Sequence, residues 1–153
     1  MSDRFADKTK SHSHPIRVPY LGGSMYPGFI DGDSLLIGQQ TENLESGDIL
    51  FFKDHLSGEF VVHRYIKSGF IKGDYSLCVD HQDITVLGKV IGLVRGDNQY
   101  FWGEKGQRFK TFVALLSFYR LKSRPVRILS LLMMRITLLC SSLFYSKTIG
   151  SCS

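Results

Sequence analysis

The sequence predicts a mainly β fold, with an antiparallel β domain followed by a helical C-terminal tail. From about residue 19 to residue 104, short runs of β-branched and aromatic residues alternate with turn pairs in which Gly stands beside Asp or Ser, a pattern typical of antiparallel strands. Beyond residue 104 the apolar residues recur every three or four positions, which is the spacing of a helix. The length of 153 residues allows one domain of ordinary size and excludes two large ones.

Six apolar runs in the 19–104 segment are expected to form strands. They are Ser34–Ile37, Ile49–Lys53, Glu59–Lys67, Phe70–Lys72, Thr85–Arg95 and Gln99–Trp102. The second and third runs are expected to pair as a hairpin across Asp54–Gly58. Because side chains alternate along a strand, Val61, His63 and Tyr65 should share one face. Residues 1–18 are polar and are expected to form a flexible arm.

The segment 105–153 predicts two helices. The first follows from the helical spacing of Phe109, Phe112, Val113, Leu116 and Tyr119. Pro125 is expected in the first turn of the second helix, and residues 126–145 are strongly apolar, with their polar residues on about half of the helical circumference. This stretch is long enough to span a membrane, although Arg135 would cost about 2.5–3.5 kcal/mol there. It also fits a helix lying on an anionic membrane surface, or one packed on the β domain.

The charge of the chain is divided between its two parts. All 14 acidic residues precede residue 105, together with 10 of the Lys and Arg residues, whereas residues 105–153 hold 9 Lys or Arg and no acid. Such asymmetry favours a polyanionic partner for the tail. An anionic membrane surface, contacted through residues 126–145, is favoured over nucleic acid, because the basic residues are interspersed with long aliphatic runs.

Composition and cysteine usage exclude several classes of protein. A content of 43% hydrophobic and 22% charged residues excludes disordered, collagenous and multi-span membrane chains. The three cysteines are odd in number and form no CxxC pair, which argues against a disulfide scaffold and a zinc site and fits a reducing compartment. The first 20 residues lack the apolar core of a signal peptide. We therefore expect a cytoplasmic protein, associated with the membrane through its tail and without metal or cofactor.

Three segments carry side chains suited to nucleophilic catalysis. Ser24 lies in Gly22-Gly23-Ser24-Met25-Tyr26-Pro27, where the glycines and the proline fix a tight loop. His63 lies on a predicted strand, and serine needs such a base to become a nucleophile near pH 7. Asp80, or alternatively Asp74, is a carboxylate that would orient the imidazole. Each residue alone also has an ordinary structural reading, as a turn serine, a core histidine or a turn aspartate.

Four short sequence motifs, called boxes below, occur in an order that resembles that of type I signal peptidases and their LexA-like relatives. The boxes are Gly22–Pro27, Gly47–Phe52, Val61–Arg64, and Lys72–Asp74 with Asp80, and the stretch Val86–Val90 is similar to the closing strand of the family. The resemblance covers about residues 20–95. His63-Arg64 is similar to the Ser/His branch, found in archaeal and endoplasmic-reticulum signal peptidases, whereas bacterial members use a Ser/Lys dyad.

The resemblance implies a signal-peptidase/LexA-like coiled β domain and a serine endopeptidase. Ser24 would be the nucleophile, His63 the general base and Asp80 the supporting acid. Asp74, Gly23, Met25 and Arg64 would have supporting roles, with Met25 either lining the substrate subsite or filling the core. The substrate would be an extended peptide or leader with small side chains near the cleaved bond.

The chain also departs from the family pattern. Tyr75-Ser76 replaces the usual Asn-Asn, and Gly22 replaces a hydroxyl residue of some bacterial members, so backbone N–H groups near Ser24 would have to hold the oxyanion. The first 20 residues contain no membrane anchor. Two alternatives stay open, which are a non-catalytic peptide-binding module on the same scaffold and a LexA-like self-cleaving regulator.

Overall fold

The computed structural model describes residues 14–39, 41–67, 69–80, 83–101, 107–121, 124–141 and 146–147. Within these ranges the protein is mainly β, with an antiparallel sheet and two C-terminal helices. The strands are β1 (Ile16–Pro19), β2 (Ser34–Gly38), β3 (Ile49–Asp54), β4 (Phe60–Lys67), β5 (Phe70–Lys72), β6 (Ile84–Arg95), β7 (Asn98–Phe101) and β8 (Ser146–Lys147). The helices are α1 (Gln107–Tyr119) and α2 (Arg124–Ser141).

The sheet has the strand order β1-β2-β6-β3-β4-β5, with β7 paired to β6 and β8 paired to β7. The predicted hairpin is confirmed, since β3 pairs with β4 across the turn that follows Asp54. The long strand β6 pairs with both β2 and β3, and the register shifts once in each pairing. Strand β6 approaches β2 closely at Gly88. A Cβ at this position would lie 2.5 Å from Ile37 Cγ2, so the approach requires glycine.

The N-terminal boundary expected from the sequence falls inside a strand. β1 begins at Ile16 and pairs with β2 from Ile16 to Pro19, so residues 16–18 of the expected arm belong to the sheet. Residues 1–13 lie outside the described residues, as do Trp102 and residues 142–145 of the expected second helix.

Two apolar clusters form the core. The larger includes Met25, Phe29, Leu35 and Val62, and the smaller is built on Leu50, Phe52 and Ile71. Met25 is completely buried in the larger cluster. Of the two roles considered for Met25, the structure therefore shows the core residue.

Helix α1 packs directly on the β domain. Val113, Ala114 and Ser117 are buried, and Lys110 Nζ lies 3.4 Å from Asp48 Oδ1. The contact is tight at Gly47, where a Cβ would lie 2.4 Å from the carbonyl carbon of Lys110.

Helix α2 packs on α1. Pro125 is its second residue, which confirms the expectation that a proline occupies the first turn. Neither helix, over the residues that the structure describes, is long and apolar enough to cross a membrane.

Candidate active site

The loop that carries Ser24 is fixed at three points. Gly22 has a φ of +111°, which only glycine adopts without strain, and its N–H donates to Asp31 Oδ1 at 2.5 Å. The Ser24 carbonyl accepts the N–H of Tyr75 at 2.7 Å. The next N–H, that of Met25, donates to the Tyr20 hydroxyl at 3.1 Å. The Ser24 side chain is thus presented, half-buried, on a backbone held from both sides.

His63 and Asp80 form a close pair. Their Nδ1 and Oδ2 atoms are 2.5 Å apart, and the side chains are 12% and 22% exposed. Strand β4 carries the histidine, while the N–H of Asp80 donates to the Ile71 carbonyl at 2.8 Å and so ties the aspartate to β5. A carboxylate at Nδ1 favours the tautomer that carries its proton there, which leaves Nε2 of a neutral imidazole as a proton acceptor.

Ser24 and His63 meet at Gly73. A Cβ at Gly73 would lie 2.9 Å from His63 Nε2 and 3.0 Å from Ser24 Cβ. Because both atoms are within 3.0 Å of one point, they are within twice that distance of each other. Among the described contacts there is no hydrogen bond from the Ser24 hydroxyl to His63, and such bonds are often long in the absence of substrate.

The fourth sequence candidate, Asp74, has a different partner. Arg64 holds both of its carboxylate oxygens, with Nε to Oδ1 at 2.8 Å and Nη2 to Oδ2 at 2.6 Å, and both side chains are buried. Arg64 Nη1 also donates to the Gly47 carbonyl, and Arg120 Nη1 donates to the Asp74 carbonyl. Asp74 and Arg64 therefore position the loop that contacts Ser24 and do not take part in the His63–Asp80 pair.

Lys72 is a buried group whose role sequence reasoning missed. Its Nζ donates to the Gly73 carbonyl at 2.7 Å and to Ser117 Oγ of α1 at 3.0 Å. Burial lowers the pKa of Lys72 to about 8, against a smaller opposing effect of the Asp74 carboxylate. The sequence contains the Lys72-Gly73-Asp74 box, but it does not indicate that a helix 45 residues away covers the lysine.

A cleft of about 520 Å³ leads away from Ser24 and His63. Residues of β1, β3 and β4 line it, together with residues 20, 21, 24 and 59. Val61 and His63 share one face of β4, and Glu59, which directly precedes the strand, also lines the cleft. Glu59 is the only carboxylate among these lining residues, which include His63 but no Lys or Arg.

Both strands beside the cleft have an unpaired edge within the described part of the chain. β5 pairs only with residues 64–67 of β4, which leaves Phe60–His63 unpaired on that side. β1 pairs only with β2. The hydrogen bonds of Tyr65 show which backbone groups of β4 face the unpaired side. The Tyr65 N–H donates to the Asp48 carbonyl and its C=O accepts the N–H of Gly47, so both groups point toward the segment that leads into β3. Because these directions alternate along a strand, the backbone groups of Phe60 and Val62 point to the opposite, unpaired side.

Backbone donors also stand near the nucleophile. The Met25 N–H is occupied by Tyr20, whereas the N–H groups of Gly23 and Ser24 donate to no other described residue. These two groups are therefore the candidates for holding an oxyanion formed at Ser24. The described residues include no group of three or more His, Cys, Asp or Glu side chains that could hold a metal ion.

Comparison with known proteins gives no relative for this chain: no family model, curated protein or solved structure matches it. A function is therefore indicated by the geometry of these residues and by the order of the boxes in the sequence.

Proposed function

We propose that the protein is a serine endopeptidase of the signal-peptidase-like class, with a signal-peptidase/LexA-like β domain, that cleaves a peptide or leader segment. The observation that carries the proposal is the meeting of His63 Nε2 and Ser24 Cβ at Gly73, with Asp80 bound to the other ring nitrogen of His63. The order of the four boxes along the chain, which resembles that of the Ser/His signal peptidases, supports the same assignment.

The chemistry is acyl transfer. His63 Nε2 takes the hydroxyl proton of Ser24 as Oγ attacks the peptide carbonyl, and Asp80 stabilises the imidazolium that forms. The N–H groups of Ser24 and Gly23 donate to the oxyanion. His63 then gives its proton to the leaving amine, which departs as the C–N bond breaks and the acyl-enzyme forms. Water, deprotonated by the same histidine, then attacks the ester carbonyl, and His63 returns that proton to Ser24 Oγ as the acyl C–O bond breaks and the carboxylic acid product leaves.

The substrate binds as an added strand in the cleft. The unpaired edge of Phe60–His63 supports this mode, since the backbone groups of Phe60 and Val62 would pair with an extended peptide. The apolar walls, which include Val18 and Phe51, accept apolar side chains. Glu59 stands four residues from His63, about 13 Å along an extended strand. A basic substrate residue about four positions from the cleaved bond would match this carboxylate.

A serine-reactive acylating probe tests the catalytic assignment. The parent should be labelled at Ser24, whereas Ser24→Ala and His63→Ala should lose labelling. His55→Ala is the matched control, because His55 is exposed and bonds to Thr85, which does not line the cleft. Equal labelling of His63→Ala and the parent would remove His63 from the mechanism.

A non-catalytic peptide-binding module is the second candidate function. The unpaired edge of β4 favours it as well, because strand addition needs no nucleophile. A peptide library incubated with the protein separates the two. Cleavage after a defined set of residues, analysed by mass spectrometry and lost in Ser24→Ala, supports the peptidase. Peptides retained intact by both proteins would support the binding module.

A further inference from the structure

Helix α2 packs on the protein with its apolar stripe turned outward. Among the α2 side chains that the structure describes, five apolar ones are exposed: Ile128, Leu129, Leu132, Met133 and Ile136. The first three are 70%, 60% and 53% exposed. At 3.6 residues per turn the five side chains fall within a sector of about 140°. A helix of a soluble domain usually packs such a stripe against the core, so this face is arranged for another apolar environment.

The buried side of α2 is partly polar. Ser130 is buried there beside Met134, and its hydroxyl donates to the Arg127 carbonyl of the helix itself. Ser130, from the polar half that the sequence indicates, therefore faces the protein, whereas Arg135 of the same half is exposed. This orientation is fixed by a contact to the nucleophile loop, in which Arg135 Nη2 donates to the Tyr26 hydroxyl at 2.5 Å and the guanidinium stands over the Tyr26 ring, 5.3 Å from its centroid.

Charge identifies the partner of the exposed face. Arg124 and Arg135 are exposed and fall beside the apolar sector on the helical circumference. The whole segment 105–153 has 9 Lys or Arg and no acid. Pairing this face with the same face of a second copy would bring like charges together, with no carboxylate in either tail to neutralise them. A surface of anionic lipid provides both the apolar environment and the opposite charge.

We propose that the outward face of α2 binds an anionic membrane surface, with Leu129 and its apolar neighbours entering the boundary of the acyl chains and the flanking arginines contacting the headgroups. The helix lies parallel to the membrane and does not cross it. Because Arg135 is bonded to Tyr26, this surface also sets the orientation of the Ser24 loop relative to the lipid. The proposal does not depend on the peptidase activity.

Vesicle co-sedimentation without substrate tests the proposal. Vesicles of phosphatidylglycerol and phosphatidylcholine in equal parts should sediment the parent, and vesicles of phosphatidylcholine alone should sediment at least tenfold less. Leu129→Glu with Leu132→Glu should lower binding at least tenfold, because both charges would enter the lipid. The control is Leu56→Glu with Leu77→Glu, which changes two exposed leucines outside the helices and should bind like the parent.

Added salt should weaken the binding, because screening acts on the arginine contacts. Thermal melting checks that each variant is folded, and Ile128→Ser, at the most exposed of the five positions, is a milder substitution with the same expected direction. Equal sedimentation of the parent and the Leu129/Leu132 variant would overturn the proposal. So would a lipid-free dimer of the parent, measured by light scattering, that the same variant converts to a monomer.

Discussion

The space at Gly73 gives the sharpest test of the site. In Gly73→Ala the new methyl carbon would lie 2.7 Å from the Ser24 carbonyl oxygen, 2.9 Å from His63 Nε2 and 3.0 Å from Ser24 Cβ, whereas ordinary contact begins near 3.4 Å. Ser24 and His63 must therefore each move away from the methyl carbon by about half an ångström. Since a misplacement of about 1 Å can cost about 10²-fold in rate, we expect a loss of about tenfold to a hundredfold, or about 1.4–2.7 kcal/mol.

The assay is the second-order rate of Ser24 acylation by the probe, followed by intact mass. Gly96→Ala is the matched control for lost stability. Its φ of +56° strains alanine by about 1–2 kcal/mol, but the added Cβ would meet nothing within 4 Å. We expect Gly96→Ala to melt at a lower temperature and to keep the parental rate. If Gly73→Ala is folded and labels Ser24 as fast as the parent does, the space between Ser24 and His63 has no catalytic importance.

Four further outcomes are expected. Asp80→Asn should slow acylation by about 10²-fold or more, since Nδ1 loses the carboxylate that orients the ring; an unchanged rate contradicts the role of Asp80. Arg64→Leu should lower the free energy of unfolding by about 3–5 kcal/mol because it leaves buried Asp74 unpaired, and denaturant unfolding should show part of this regained in the Arg64→Leu/Asp74→Leu double variant. Between about pH 8 and pH 10.5, the free energy of unfolding of the parent should rise relative to that of Lys72→Met, by no more than about 3 kcal/mol. The reason is that in this range Lys72 keeps its proton in the unfolded chain but has released it in the folded chain. Parallel curves of unfolding free energy against pH for the two proteins would contradict the lowered pKa. Glu59→Lys should exchange a basic for an acidic preference in the peptide library, and an unchanged profile would remove Glu59 from substrate recognition.

The linear sequence was informative wherever the structure follows a local period or a turn. The alternation in residues 59–67 predicts both β4 and the face that His63 shares with Val61, and the structure confirms both. Pro125 correctly marks the start of α2. The boundary of the N-terminal arm was less accurate, because the pairing of Ile16–Pro19 with β2 is a contact between separate segments that no local pattern records.

The pair of His63 with Asp80 had a single competing candidate in the sequence. Asp74 and Asp80 both follow β5 closely, and composition does not distinguish them. Arg64 distinguishes them in the folded chain, since its guanidinium holds both Asp74 oxygens and leaves Asp80 for the imidazole. Arg64 and His63 are adjacent on a strand and so point to opposite faces, which explains why neighbouring residues hold different carboxylates.

Residue type and local spacing were enough to predict β2 to β7, the helical tail, the charge division and the set of side chains from which the site is built. Three features became evident only in the folded chain: Ser24 and His63 meet at Gly73, Ser117 covers Lys72, and α2 turns its apolar stripe outward. Each of these features depends on how segments far apart in the chain pack against one another. Packing of that kind is set by the register of the sheet and the orientation of the helices upon it, which a periodic pattern in one segment does not specify.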